Sequence, residues 1–359
     1  MLFGYPIEAI KENWLHECLG EILQSIHTSY IEIGKSLPDW PEIVPERYRK
    51  RLKRRTGLEK RLNAYHKQIV KLTPEQQCQV LQTFKDQNEI PRLLSCQGKC
   101  ESINALPTSI QEPVKDLFEF AFSLLTDLEI RDEQYKIIYD KISGQTCPFC
   151  GCEDFDAPGA VREALDHYLL KSEYPFAAAN LRNLVPMGNK CNSGYKRDQD
   201  ILMKDNRTRR KSFDPYNHQT VTISLNNSQP FAGTTGKTGE PLPQWEIDFS
   251  LNAEEVTTWD DVFHIRERYK RDVLDPKFQS YLKEFGSYCR AFEFVPNSTE
   301  ELLDALAKYT NFQESNEFKD RAFLKAAVFR MLYVHCQKGD QRLINLIIDV
   351  VNGVNFSGI

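Results

Sequence analysis

The feature that most constrains this 359-residue chain is a gathering of cysteines near its middle: Cys147, Cys150, Cys152 and Cys191 stand close in sequence, while the other six are scattered along the flanks. Two thiols separated by two residues, as in the CPFC run that starts at Cys147, fit a tight turn that points both sulfurs at one place. That is the usual form of a metal knuckle in a reducing compartment. Disulfides are not expected, because the chain is long and its first residues hold neither a basic leader nor a continuous apolar run. The six scattered cysteines are expected to be reduced core residues; Cys96 and Cys100, four positions apart, are too widely spaced for a knuckle and are read as structural.

Helical patterns flank that centre. Ile7, Ile10, Trp14, Cys18, Ile22 and Ile26 recur at three- to four-residue steps, which predicts one amphipathic helix over that span. Further helical pattern runs to about Arg92, Val114, Leu117, Phe118, Ala121 and Leu125 mark another helix, and a helix over 132–142 leads into Cys147. Beyond the centre, 220–225 and 244–249 alternate like the strands of a hairpin, and helices resume over 256–270, 299–309 and a stretch using Phe323, Ala327, Met331 and Val334. The expected architecture is α+β and mainly helical: a helical N-terminal domain over 1–143, a central module over 144–204, and a C-terminal region over 205–359 in which a small β hairpin precedes helices. No stretch approaches the roughly 20 apolar residues of a membrane span, so no membrane partner and a cytoplasmic location are expected. Gly236, Lys237 and Thr238 end like a phosphate-binding loop, but Phe231 stands where that loop needs its first glycine.

Between Cys147 and Lys196 the chain reads CPFCGC, then LDHYLLKSEYP, then NLVPMGNKCNSGYK. This ordered set resembles the HNH, or His-Me finger, endonuclease family, whose ββα-metal fold packs a hairpin on a helix. The resemblance implies metal-dependent hydrolysis of phosphodiester bonds in DNA, by nicking or double-strand cleavage with little sequence preference, leaving 5′ phosphate and 3′ hydroxyl ends. It makes Asp166 and Asn192 ligands of a catalytic Mg2+ or Mn2+, His167 the general base, Asn183 a brace for the loop between the strands, and Lys196 and Arg197 phosphate contacts. It also places a structural Zn2+ on Cys147, Cys150 and Cys191. Zinc-bearing relatives usually have two CxxC pairs, whereas here the fourth place is Gly188. Cys152 as fourth ligand, a water in that role, and a metal-free knuckle with packed thiols all stay open. Leu170 stands where relatives often have proline. Bacterial HNH proteins with large helical flanks resemble effectors of anti-phage defence systems, which implies a protein partner such as an ATPase or sensor.

The chemistry is consistent with those roles. Hydrolysis needs a base for water, a cation to neutralise charge on the phosphorane and leaving oxygen, and a group that holds the phosphate. Residues 161–168 read as a strand, so adjacent Asp166 and His167 point to opposite sides and the imidazole is free to act as base. A carboxylate oxygen suits a hard cation. After a short apolar strand, Leu184–Pro186, residues 190–203 lack proline and read as a helix with Asn192 and Lys196 on one side.

A net charge of −5 requires that any nucleic-acid contact come from local patches or a partner. Arg47, Arg49, Lys50, Arg51, Lys53, Arg54 and Arg55 form one basic run, equally readable as a solvated helix face or a phosphate track; Lys204, Arg207, Arg209, Arg210 and Lys211 form another, read as phosphate contacts from its place beside the central module. Two other functions remain: an RNA-cleaving nuclease, and a zinc-ribbon module that binds nucleic acid or protein without cutting.

Overall fold

A computed structural model describes residues 1–32, 34–160, 165–217, 220–233 and 241–354. Residues 161–164 of the expected first strand and the Gly236 to Thr238 segment lie outside the described residues. The chain divides into two compact units, one of residues 4–142 and 155–219, the other of 1–3, 143–154 and 220–359. Among the described residues it is mainly helical, with two small antiparallel sheets.

The first unit contains α1 (Trp14–Ser29), α2 (Glu46–Leu52), α3 (Thr56–Ile69), α4 (Pro74–Asn88), α5 (Ile90–Leu94), α6 (Thr108–Asp127) and α7 (Ile130–Lys141). Local chemistry sets several of these starts. The Thr73 hydroxyl accepts the Gln76 N–H while the Gln76 side chain accepts the Thr73 N–H, and Pro74 opens α4 with its fixed φ. The buried face of α6, Ile110, Val114, Leu117, Phe118, Ala121, Leu124 and Leu125, lies at helical spacing. Phe84, Phe118 and Phe176 meet in the core, with Phe176 edge-on to Phe84 at 5.7 Å and to Phe118 at 5.3 Å.

The helix expected from Ile7 begins instead at Trp14. Ile7–Ile10 form a 3-10 turn, and the Asn13 side chain is given to a distant loop, donating to Asn180 Oδ1 and accepting from the Leu181 N–H, each at 3.0 Å. Strands β1 (Leu165–His167) and β2 (Leu184–Pro186) pair antiparallel, with Asp166 opposite Val185 and His167 opposite Leu184. The helix expected over 190–203 is only Lys190–Lys196, wound as a π-helix. It ends because Arg197 takes φ +46°, and Asp200 Oδ1 then accepts the Leu202 N–H at 2.8 Å, a local bond that competes with helix.

In the second unit β3 (Ile223–Ser224) and β4 (Asp248–Phe249) form a shorter hairpin than the alternation suggests. Helices α8 (Glu254–Phe263), α9 (Ile265–Arg268), α10 (Asp275–Ala291), α11 (Thr299–Ser315), α12 (Ala322–Gln337) and α13 (Gln341–Val351) follow, with a π-wound turn, Tyr269–Leu274, joining α9 to α10. Among the described residues no helix is long and apolar enough to cross a membrane. Cys18, Cys289 and Cys336 are buried, but Cys78 is exposed and Cys96 and Cys100 are half-buried, which corrects the expectation that all six scattered cysteines are core residues. On α4 the buried positions are Val80, Thr83, Phe84 and Gln87, and Cys78 falls off that face.

Burial on α1 lowers the His16 pKa to about 4, and its Nδ1 is buried without a hydrogen-bond partner. The unfolded chain therefore takes up this proton first as pH falls from the ordinary value of 6.5, so stability from the neutral ring is intact above that value and is lost toward pH 4. Chemical denaturation should give an unfolding free energy that declines across this window, and His16→Leu, which removes the unpartnered nitrogen, should flatten the decline; an unchanged slope would contradict the assignment.

Candidate functional site

The loop that joins β1 to β2 is irregular yet buried, so its backbone must find partners. Amide side chains supply them. Asn183, fully buried, accepts the Leu169 N–H on Oδ1 at 2.6 Å and donates from Nδ2 to the carbonyls of Leu169 and Ala177, each at 3.2 Å. Asn180 donates to Asn88 Oδ1 at 3.1 Å, Asn88 donates to Phe176 O at 3.2 Å, and Gln87 Oε1 accepts the Phe176 N–H at 3.1 Å. From α7, Gln134 donates to the carbonyls of Leu181 and Leu184 at 2.9 and 3.1 Å, and Tyr216 donates to Leu184 O at 2.5 Å. Asn183 is thus a clamp across the loop, and the network also holds Ala178.

His167 is buried, its ring 4.3 Å from that of Phe122 on α6. Its Nε2 lies 3.0 Å from Ala178 O. A carbonyl only accepts, so Nε2 carries the hydrogen and Nδ1 keeps its lone pair. Burial holds the pKa down to about 4, so at neutral pH the ring is neutral and able to take a proton.

Asp166, adjacent in the strand, is partly exposed. The Lys196 ammonium stands 3.0 Å from its Oδ2, and the Lys196 side chain is only 1% accessible. Oδ2 is buried yet accepts no well-aligned hydrogen bond: the ammonium is close but out of line. Lys196 is therefore committed to Asp166, which corrects its expected role as a phosphate contact. Asn192 lies on the same helical segment, four residues before Lys196, and is half-buried; Arg197 is exposed just past its end. A carboxylate and an amide oxygen are the hard donors a Mg2+ or Mn2+ ion takes, and with Oδ2 beside the lysine the partly exposed carboxylate still has Oδ1 to offer, so the residues fit such a cation.

The cysteine turn belongs to the second unit. Cys150 N–H and Gly151 N–H both donate to Cys147 O, at 3.2 and 2.7 Å, and Gly151 has φ +61°. A Cβ there would meet Leu2 Cδ1 at 2.6 Å and Phe323 at 2.9 Å, so both the backbone angle and the space require glycine. Trp259 Nε1 donates to Phe149 O at 2.8 Å and Tyr269 to Cys150 O at 2.7 Å, which anchors the turn's carbonyls. Cys147, Cys150 and Cys191 are buried thiols that could hold a metal ion, and sulfur donors suit zinc. Cys152, half-buried, stands outside that set of thiols.

Much of the basic sequence is structural. Arg209 donates to Leu93 O at 2.6 Å and Gly98 O at 3.3 Å, and buried Arg210 donates to Asp200 O, so these two are not phosphate contacts. In the first run, Arg49 pairs with Glu42 at 3.1 Å, Arg55 with Asp127 at 3.1 Å, and Arg47 with Glu21, while Lys50, Lys53 and Arg54 are exposed. Sequence reasoning missed Gln134, Asn13, Asn88 and Asn180. Gln134 had a legible signal, as a polar residue at helical spacing from buried Ile130 and Ile138. No family model matches this sequence, no curated protein matches it, and no solved structure matches the fold.

Asn183→Ala would orphan a buried N–H and two buried carbonyls, a loss of about 2–4 kcal/mol at about 1–3 kcal/mol per unsatisfied group with partial relief. Urea denaturation should show it, together with faster amide exchange at Leu169; a change below about 1 kcal/mol would mean that Asn183 does not brace the loop.

Proposed function

We propose that this chain is a metal-dependent HNH endonuclease that hydrolyses phosphodiester bonds of DNA, working as the effector of a bacterial anti-phage system beside an ATPase or sensor partner. The observation that carries this reading is the state of His167: neutral, with Nε2–H given to Ala178 O, and Nδ1 left as a proton acceptor beside Asp166. On this reading β1, β2 and the Lys190–Lys196 segment are the two strands and helix of a ββα-metal module.

On this reading His167 Nδ1 takes a proton from the water that attacks phosphorus. A divalent cation held by Asp166 and Asn192 would neutralise charge on the phosphorane and the leaving oxygen. Lys196 orients the Asp166 carboxylate, and Arg197, exposed at the end of the helical segment, is free to meet phosphate. Cys147, Cys150 and Cys191 would hold a structural Zn2+.

The Lys196–Asp166 pair favours a second reading, a module that binds without cutting, because an ammonium already satisfies part of the carboxylate's charge. The two readings part on a supercoiled-plasmid assay with wild type and His167→Ala in Mg2+, Mn2+ or chelator, with and without host lysate, and on RNA as well. The nuclease predicts metal-dependent nicking that the substitution reduces by about a hundredfold or more, the usual scale for a general base. Silence from both proteins on DNA and RNA would overturn the nuclease in favour of the binding module, and cleavage of RNA alone would reassign the substrate.

Metal content gives an independent check. Purified protein should carry zinc by atomic emission, and Cys147→Ser should lose it. In wild type Mn2+ should raise the melting temperature, and Asp166→Ala should abolish that rise; zinc-free protein with an unaltered melt would remove the structural ion from the proposal.

A further inference from the structure

We propose that an open groove between α6 and the β1–β2 loop is a phosphate track for the DNA strand that enters the His167 site, with Lys115 and Lys171 as its contacts. The inference rests on the nuclease reading and adds to it the residues that grip the substrate backbone, which the commitment of Lys196 to Asp166 leaves unassigned.

The groove, about 220 Å³, is lined by Lys115, Glu119, Lys171, Ser172, Pro175 and Ala178. Ala178 is the residue whose carbonyl accepts His167 Nε2–H, so one wall of the groove is a single hydrogen bond from the imidazole. The other wall is α6. Lys115, Glu119 and Phe122 fall at positions i, i+4 and i+7 of that helix and so share a face, and Phe122 is the residue packed on the His167 ring. At 1.5 Å per residue, Lys115 stands about 10 Å along the axis from Phe122. The face therefore leads away from the imidazole toward two cations spaced along it, an arrangement suited to successive backbone phosphates.

The charges permit exchange. Lys171 Nζ lies 2.7 Å from Glu119 Oε1, with both side chains about half accessible or more, at 47% and 66%. An ion pair so exposed is weak, and a phosphate oxygen can take the place of Glu119. Lys115 is half-buried and lines the groove, and a lysine so placed can pack its apolar stem while its ammonium meets solvent or phosphate. The groove is open and its walls are largely apolar side chains and lysine stems, which fits a strand lying along it better than a small anion enclosed by buried donors.

The experiment measures fluorescence anisotropy of a labelled DNA duplex with His167→Ala protein, which separates binding from cleavage. Lys115→Ala and Lys171→Ala should each weaken binding about three- to tenfold and lower the slope of log affinity against log salt by about 0.9, the value for one lost phosphate contact. Glu119→Gln should tighten binding about two- to threefold, because it frees Lys171; a merely structural role would not produce that gain. Unchanged affinity and salt slope in both lysine variants, no measurable binding by the parent protein, losses seen on RNA alone, or competition by millimolar inorganic phosphate would each overturn the proposal. The two readings fail separately. Plasmid cleavage by wild type with lysine variants at unchanged KM defeats the track and leaves the nuclease, whereas lysine-dependent binding without cleavage in any metal defeats the nuclease and leaves the track.

Discussion

The site depends on satisfying the polar backbone of a buried loop. Among the described residues β1 and β2 pair over three residues each, a ladder that does not by itself hold a hairpin. Between them runs a chain that must lie inside the protein, because Ala178 on it is the acceptor for His167, and every N–H and C=O it buries without a partner costs about 1–3 kcal/mol. Asn183 covers three such groups, Gln134 the carbonyls of Leu181 and of Leu184 in β2, and Asn13, Asn88, Asn180 and Gln87 one each, while tight turns such as Ala178 N–H to Pro175 O satisfy others. Amides suit the task, since each carries both a donor and an acceptor and neither titrates. The helices therefore do more than enclose a module: Asn13 just before α1, Gln87 and Asn88 of α4 and Gln134 of α7 fix the loop, and through it the tautomer of His167.

Burial of the imidazole and of Lys196 pull in different directions. The neutral ring loses little by leaving water, whereas its protonated form loses much, which is why burial lowers its pKa. The ammonium of Lys196 loses a great deal and persists only because Asp166 is beside it; breaking such a pair by removing one partner usually costs about 3–5 kcal/mol. Asp166 thus has two claims on its oxygens, the lysine behind it and any cation in front. A carboxylate can serve both, because its two oxygens offer about four acceptor positions. Lys196 would then be a positioning residue, holding the carboxylate by one oxygen while the other faces outward.

How far this was legible in the sequence varied with the kind of signal. Periodicity found α6, whose apolar face repeats cleanly, gave helical pattern to about Arg92 where α3, α4 and α5 run, and set a helix over 132–142 where α7 runs Ile130–Lys141, and the apolar run Leu184–Pro186 was a strand at those residues. The same signal overran at Ile7, since apolar spacing continues into the 3-10 turn and nothing in a periodicity reveals that Asn13 has a partner 168 positions away. It overran again past Lys196, where the residues tolerate helix but the side chain of Asp200 bonds locally and Arg197 turns left-handed. Charge runs misled in a different way. Arg209 and Arg210 look like phosphate ligands in a list of residues, yet their guanidinium groups cap backbone carbonyls, and only three-dimensional packing distinguishes the two uses.

The same distinction explains why Lys115 and Lys171 escaped a reading by motif. Lys171 sits four residues past His167 in sequence, within the stretch that carries the resemblance, while Lys115 is on a helix that precedes it by some fifty positions. They come together because α6 packs Phe122 on the imidazole, and Phe122 can do so only while the loop that carries Ala178 is held against α4 and α6. Phe176 is the apolar half of that attachment, edge-on to Phe84 and Phe118, as the amides are its polar half. Moving this loop would shift the base's hydrogen bond and one wall of the groove together, so the imidazole and the lysines that would feed it substrate are set by one piece of packing.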